Sequence, residues 1–174
     1  MRPSEVDEAL LSGEGGLAAA LRLARAKAET VAAGATLPVL GADTVVVCEG
    51  RILNKPESRE DAAEMLRLLS GRTHQVVTGL CLAHSGRLFD GVETTEVTFA
   101  PLGEAEIAWY VATGEPLDKA GGYHVDGRGA LFITGVNGSP SNVAGLPVRL
   151  LLNLARRASV GLGLAGDAEP SVRR

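Results

Sequence analysis

The sequence has no apolar stretch approaching the roughly 18–20 residues of a membrane-spanning helix. Its N-terminus, MRPSEVDEALL, has no basic segment followed by an apolar run. Neither a membrane span nor a signal peptide is therefore expected, and a cytoplasmic protein fits. Cysteine is scarce: Cys48 and Cys81 both lie inside apolar runs and read as buried thiols rather than a disulfide or metal pair. No excess of positive charge exists either. With 17 Lys+Arg against 21 Asp+Glu and a net charge of −4, the chain lacks the clustered base that phosphate-backbone binding needs, so no nucleic-acid partner is expected. Aromatic residues number only six (Phe89, Phe99, Trp109, Tyr110, Tyr123 and Phe132).

Familiar signatures are absent too. There is no Gly-x-x-x-x-Gly-Lys-Ser/Thr phosphate loop and no Gly-x-Gly-x-x-Gly between strand and helix. No Cys or His pair has zinc spacing, and no Gly-x-Ser-x-Gly elbow is present. What the chain does have is 174 residues, 45% of them apolar, and 22 glycines. That length suits one domain with a core of its own. The glycines imply many turns or backbone-lined sites.

The pattern predicts a helix over 17–31, where Leu17, Leu21, Ala24, Ala28 and Val31 recur at three- and four-residue steps. It predicts a β-branched strand over 38–48, a turn at Glu49-Gly50 and a short returning arm at 51–53. Ser58, with Asp61 three residues on, opens a helix to about Ser70. Strands are expected over 74–83 and, as one or two pieces, over 87–99. A helix follows at about 103–112, then a loop-rich 114–129, a strand over 130–136 and one helix over 141–158. Residues 159–174 lack a period and read as a flexible tail, leaving a single domain over 1–158. This order points to an α/β fold, a mixed twisted sheet flanked by helices.

Several features can carry chemistry. Asp43, in VLGADTVVV, places a carboxylate in an apolar strand, which is costly unless it is bonded or paired. It is either a strand-end Asp on nearby backbone, or a general base or Mg²⁺ ligand; magnesium needs only one or two carboxylates besides substrate phosphates. In Asn54-Lys55-Pro56 the proline stiffens the turn presenting Lys55, a solvated lysine or a phosphate-binding charge. Asp118-Lys119-Ala120-Gly121-Gly122 sets charge beside glycines that let a ligand approach backbone. Gly138-Ser139-Pro140-Ser141-Asn142 is an N-cap or an anion-binding turn. Arg22, Arg25 and Glu29 share a helix flank and read as a solvated face. His74, alone in its segment, reads as a structural histidine. Asp43, Lys55, Lys119 and two glycine-rich turns at strand ends favour phosphate-ester or anhydride hydrolysis, with lysines neutralising phosphate and a carboxylate orienting water or metal.

The collinear series LARAKAE (23–29), GADTVV (41–46), NKP (54–56), LSGRTHQVVTG (69–79), TEVTF (95–99), YVATGEPLDKAGGYHVDG (110–127) and NGSPSNVAGLP (137–147) resembles the Maf family of nucleoside triphosphate pyrophosphatases. The resemblance implies a fold like that of the inosine-triphosphate pyrophosphatases and a homodimeric enzyme dependent on a divalent metal, Mg or Mn. The implied reaction cleaves the α–β anhydride of standard or non-standard nucleoside triphosphates to monophosphate and pyrophosphate. By the same resemblance Asp43 is the general base and a metal ligand, Thr44 bears on substrate choice, and Lys27 and Lys55 face phosphates. Glu8 is the acidic residue before the first long helix. Lys119 and Asp126 complete the substrate-binding set. Asp126 stands where the pyrimidine-specific branch carries Gln, which leaves the base open. The family's N-terminal Ser-x-Ser-Pro-Arg-Arg loop has no counterpart in the sequence. The chain therefore reads as shortened by about 30 residues, with an unpaired sheet edge expected. The alternative is a nucleotide-binding or division-regulating protein impaired in catalysis.

Overall fold

A computed structural model describes residues 6–163. The expected tail falls partly outside them. Ser159–Gly163 continue irregularly from the last helix, while residues 164–174, like 1–5, lie outside the described part.

Five strands form one sheet in the order β2-β1-β3-β4-β5. They are β1 (Val39–Cys48), β2 (Arg51–Leu53), β3 (Thr73–His84), β4 (Arg87–Phe99) and β5 (Ile133–Asn137). Every pairing among them is antiparallel, where the order of elements had suggested a mixed sheet. Two tight hairpins account for much of this. Glu49-Gly50 joins β1 to β2 and Ser85-Gly86 joins β3 to β4, each with positive φ at both turn residues. That geometry matches strand twist and closes a two-residue hairpin. The 87–99 segment is a single long strand.

Helix α1 (Gly16–Ala32) covers one face and α2 (Arg59–Leu69), α3 (Glu104–Ala112) and α5 (Val148–Arg157) cover the other. Helix α2 starts as the sequence indicates: Ser58 Oγ accepts from the Asp61 amide at 3.1 Å and Asp61 Oδ2 accepts from the Glu57 amide at 2.9 Å. The expected helix over 141–158 is two helices, α4 (Pro140–Val143) and α5. The break is at Gly145-Leu146-Pro147, where Gly145 takes φ +90° and Pro147 lacks an amide proton. Likewise the last strand starts at Ile133, because Arg128–Phe132 are wound in a 3₁₀ turn.

The two faces are built differently. On the α1 face, Ala20, Ala24 and Ala28, one helical turn apart and fully buried, lie on Gly79 and Gly41. A Cβ at Gly41 would stand 2.2 Å from the Ala24 carbonyl oxygen, and one at Gly79 would stand 2.4 Å from that of Ala20. The helix is thus pressed against bare strand backbone. On the other face Val46, Val76, Phe99, Leu66 and Tyr110 form the main core, and Leu80, Leu82, Phe89 and Leu154 a second one. Between these clusters lies a buried polar strip, Thr78, Thr95 and Asn142. Cys48 and Cys81 are free, buried thiols on opposite faces, as the sequence indicated.

Val39–Val45 pair with β3 on one side only, since β2 reaches no further than Val46. Among the described residues the outer edge of that half-strand carries no partner strand.

The close helix contact sets a prediction. Gly79→Ala forces backbone against backbone, and overpacking of this kind costs about 1–3 kcal/mol. The thermal midpoint should fall by several degrees, whereas Gly86→Ala, which meets no atom within 4 Å, should cost only its turn strain. Equal midpoints for Gly79→Ala and wild type would rule out the tight contact.

Candidate active site at the open edge of the first strand

The open half of β1 borders a cavity of about 580 Å³. Its walls include Glu8, Lys27, Asp43, Thr44, Lys55 and Lys119. Six of the seven residues singled out from sequence therefore converge, from five separate segments. Asp126 does not: it is exposed and off the wall, while its neighbours His124 and Val125 are on it.

Asp43 faces α1, opposite Gly79 across the β1–β3 ladder. The bare backbone there lets the helix come close enough for Lys27 Nζ to lie 2.6 Å from Asp43 Oδ1. The same ammonium lies 2.6 Å from Glu8 Oε1. The Asp43 side chain is 9% exposed, that of Lys27 20% and that of Glu8 51%. Burial pushes the Asp43 carboxyl above its usual pKa, against the opposing pull of Lys27. For Lys27, burial pulls down, but hydrogen bonds to Asp43 and Glu8 outweigh it and raise the ammonium. The result is a charged lysine holding a carboxylate that is more basic than an exposed one. Among the described residues Asp43 Oδ2 has no hydrogen-bond partner.

Thr44 points to the opposite face, as strand alternation requires. Its hydroxyl lies 2.9 Å from Thr78 Oγ1. Thr78 donates to the Asn142 carbonyl at 3.2 Å, so its one proton is committed and Thr44 is the donor between the two. Asn142 Nδ2 donates to the Val76 carbonyl at 2.9 Å and to Thr95 Oγ1 at 3.0 Å. This strip fixes α4 and holds Gly145 against Thr44. Sequence reasoning passes over Thr78 and reads Asn142 only as part of a capping or anion-binding turn, because a Thr in a strand and an Asn beside a turn show nothing of their cross-chain bonds. The Ser139 turn is an ordinary cap: its amide donates to Thr95 Oγ1 and its hydroxyl accepts from Asn142.

Lys55 is exposed and makes no hydrogen bond or ion pair among the described residues, so its charge faces the cavity. The turn behind it is tied down, as Gly121 donates to the Asn54 carbonyl at 3.0 Å. Lys119 reaches its neighbour Asp118 at 2.7 Å. Arg22 and Arg25 serve the surface, paired with Glu14 and Asp90. His74 is structural: buried, 2.9 Å from the Tyr123 hydroxyl and edge-on to the Phe99 and Tyr123 rings. No group of three or more His, Cys, Asp or Glu is placed to cage a metal among the described residues.

The match to known families decides the lineage. The family model described as Maf-like protein matches residues 1–158. The chain belongs to the Maf family. Among relatives of this Maf chain, a protein of Anaeromyxobacter sp. (strain Fw109-5) named dTTP/UTP pyrophosphatase is 50% identical over 163 residues, 91% of this chain and 78% of that one. A Moorella thermoacetica protein of the same name is 52% identical over 151 residues, 85% of this chain and 78% of its own. A third, from Salmonella typhimurium, is 54% identical over 130 residues, 74% of this chain and 66% of its own.

The buried histidine beneath the cavity wall gives a pH signature. Burial lowers His74 to about 4 from an ordinary 6.5. The unfolded chain therefore binds a proton that the folded one refuses, and stability falls as pH drops from about 6.5 towards 4. The loss reaches about 3 kcal/mol at 1.36 kcal/mol per unit. Thermal melts across that window should show the decline, and His74→Gln should flatten it. Equal slopes for the two proteins would refute a neutral buried imidazole.

Proposed function

We propose that this chain is a nucleoside triphosphate pyrophosphatase, cleaving the α–β anhydride to leave the monophosphate and pyrophosphate. The observation that supports this best is the Glu8–Lys27–Asp43 cluster in a cavity that also presents Lys55 and Lys119. Relatives about half identical bear the name dTTP/UTP pyrophosphatase, so dTTP and UTP are the proposed substrates. Asp126 stands off the wall, and that choice does not rest on it.

In this reading a water attacks the α-phosphorus and its oxygen forms the new P–O bond. The bridging oxygen leaves with the pyrophosphate, and Asp43 Oδ2 takes the water's proton. Lys27 holds the other carboxylate oxygen and so fixes the direction of the base. The raised pKa of Asp43 moves it towards the operating pH, which strengthens general-base catalysis. Lys55 and Lys119 neutralise the β- and γ-phosphates as point charges. A divalent ion fits the donor set in one form only. Asp43 Oδ2 has no hydrogen-bond partner among the described residues, and one carboxylate plus substrate phosphates is an ordinary magnesium arrangement, in which Oδ2 would hold the ion instead of taking the proton. Mg or Mn held there would withdraw charge from the phosphoryl oxygens. We also propose a cytoplasmic homodimer, which light scattering of the purified protein would test; no helix among the described residues is long and apolar enough to cross a membrane.

The assay is pyrophosphate release from a panel of nucleoside triphosphates, with and without Mg²⁺ or Mn²⁺. Asp43→Asn should lower turnover by about 10²-fold or more. Its thermal midpoint at pH 8 should hold or rise, because a carboxyl whose folded pKa is raised loses stability as pH climbs through it. Lys55→Ala should raise KM about tenfold with smaller change in kcat. Nucleotide binding without turnover in the wild-type chain would overturn the proposal.

A further inference from the structure

One carboxylate outside the catalytic cluster is bonded far beyond what its sequence position suggests. Glu115 follows Gly114, which takes φ +76°, and opens a 3₁₀ turn over Glu115–Asp118. Its side chain is 17% exposed. Oε1 accepts from the Tyr110 hydroxyl at 2.8 Å and the Gly129 amide at 3.1 Å, and Oε2 accepts from the Arg128 amide at 3.2 Å. The Tyr110 hydroxyl in turn accepts from the His124 amide at 3.0 Å. Tyr110 is fully buried.

The 124–129 loop is thus wound round a carboxylate–phenol pair. Its glycines make room for that pair. A Cβ at Gly127 would lie 2.5 Å from Glu115 Oε1, and one at Gly129 would lie 2.8 Å from the Tyr110 hydroxyl. The loop supplies His124 and Val125 to the cavity wall beside Tyr123, and the turn that Glu115 opens leads into Asp118, Lys119 and Ala120 on the same wall. No side-chain atom of Glu115 is itself on the cavity.

We propose that Glu115 is a positioning residue, which through Tyr110 and the Arg128 and Gly129 amides locks the 118–125 wall in the geometry that receives the nucleotide. The proposal rests on the nucleotide-cavity reading above, so its test includes a readout that needs no turnover. A carboxylate is required because three donors converge on it. Gln can keep two of those bonds but turns an N–H towards one of the donors.

The experiment compares wild type, Glu115→Ala, Glu115→Gln and Tyr110→Phe. Amide hydrogen exchange is followed along the chain. Binding of the α,β-methylene analogue of dTTP and steady-state pyrophosphate release are measured on the folded fraction. Glu115→Ala should speed exchange in 123–129 selectively. It should weaken analogue binding and raise KM by about tenfold or more, with kcat changed less, as expected when a wall moves but the base does not. Tyr110→Phe should do the same more weakly, and Glu115→Gln should recover part of the loss. A lowered thermal midpoint with unchanged KM and analogue affinity would overturn the proposal, leaving a purely structural bond. Exchange that rises uniformly along the chain would overturn it as well. If the wild type turns over no nucleotide, the proposed activity fails. Analogue binding and local exchange then still decide the role of Glu115.

Discussion

The site depends on how closely α1 approaches the sheet. Gly41 and Gly79 carry no Cβ, and the Ala20–Ala24–Ala28 row of the helix rests on strand backbone. A side chain at either glycine would push the helix outward. The Lys27 ammonium would then lose its 2.6 Å contact to Asp43, and a carboxylate that is 9% exposed would be left uncompensated. An unpaired buried charge costs far more than a surface one. The packing contact and the electrostatic one are therefore a single constraint: the glycines permit the helix, the helix brings the lysine, and the lysine makes the buried carboxylate tolerable.

The opposite face solves a different problem. Strand alternation sends Thr44 away from Asp43, into a side of the sheet where two apolar clusters are separated by Thr78, Thr95 and Asn142. Buried polar groups of this kind are acceptable when they bond one another. Here their bonds hold a four-residue helix that could not stand alone. That helix ends at Gly145, whose missing side chain leaves space beside Thr44. One face thus presents fixed charge and the other fixed hydroxyl and backbone.

Much of this was legible in the sequence, and the reasons differ by element. The α1 period, the Ser58 cap and the Glu49-Gly50 turn are local signals, so the structure reproduces them within a residue or two. Asp43 stood out because a carboxylate among β-branched residues violates local expectation, and such violations mark sites. The break at Gly145-Leu146-Pro147 was overrun by the leucine period of α5 on its far side. The start of β5 was misplaced because Ala130–Phe132 are apolar, yet Glu115 holds the amides just before them in a turn. That error and the missed role of Glu115 have one cause. The bonds span 13 and 14 residues, and no local pattern records which amides a distant carboxylate collects.

The edge position of the cavity follows from the same geometry. Asp43 and Thr44 are consecutive in one strand and face opposite sides, so no ligand lying flat on either face can meet both. The cavity touches both because it sits where Val39–Val45 have no neighbour beyond β1 among the described residues, and a ligand there can straddle the strand. Charge from Lys27 on α1 reaches it from one side, and the hydroxyl of Thr44 with the backbone at Gly145 from the other, while the Asn54–Lys55 turn adds its own charge to the wall. A ligand that is polyanionic at one end and neutral at the other matches that division, and a nucleoside triphosphate has that shape. The wall tied by Glu115 closes the third side, which is why a carboxylate that never touches the cavity bears on what the cavity can hold.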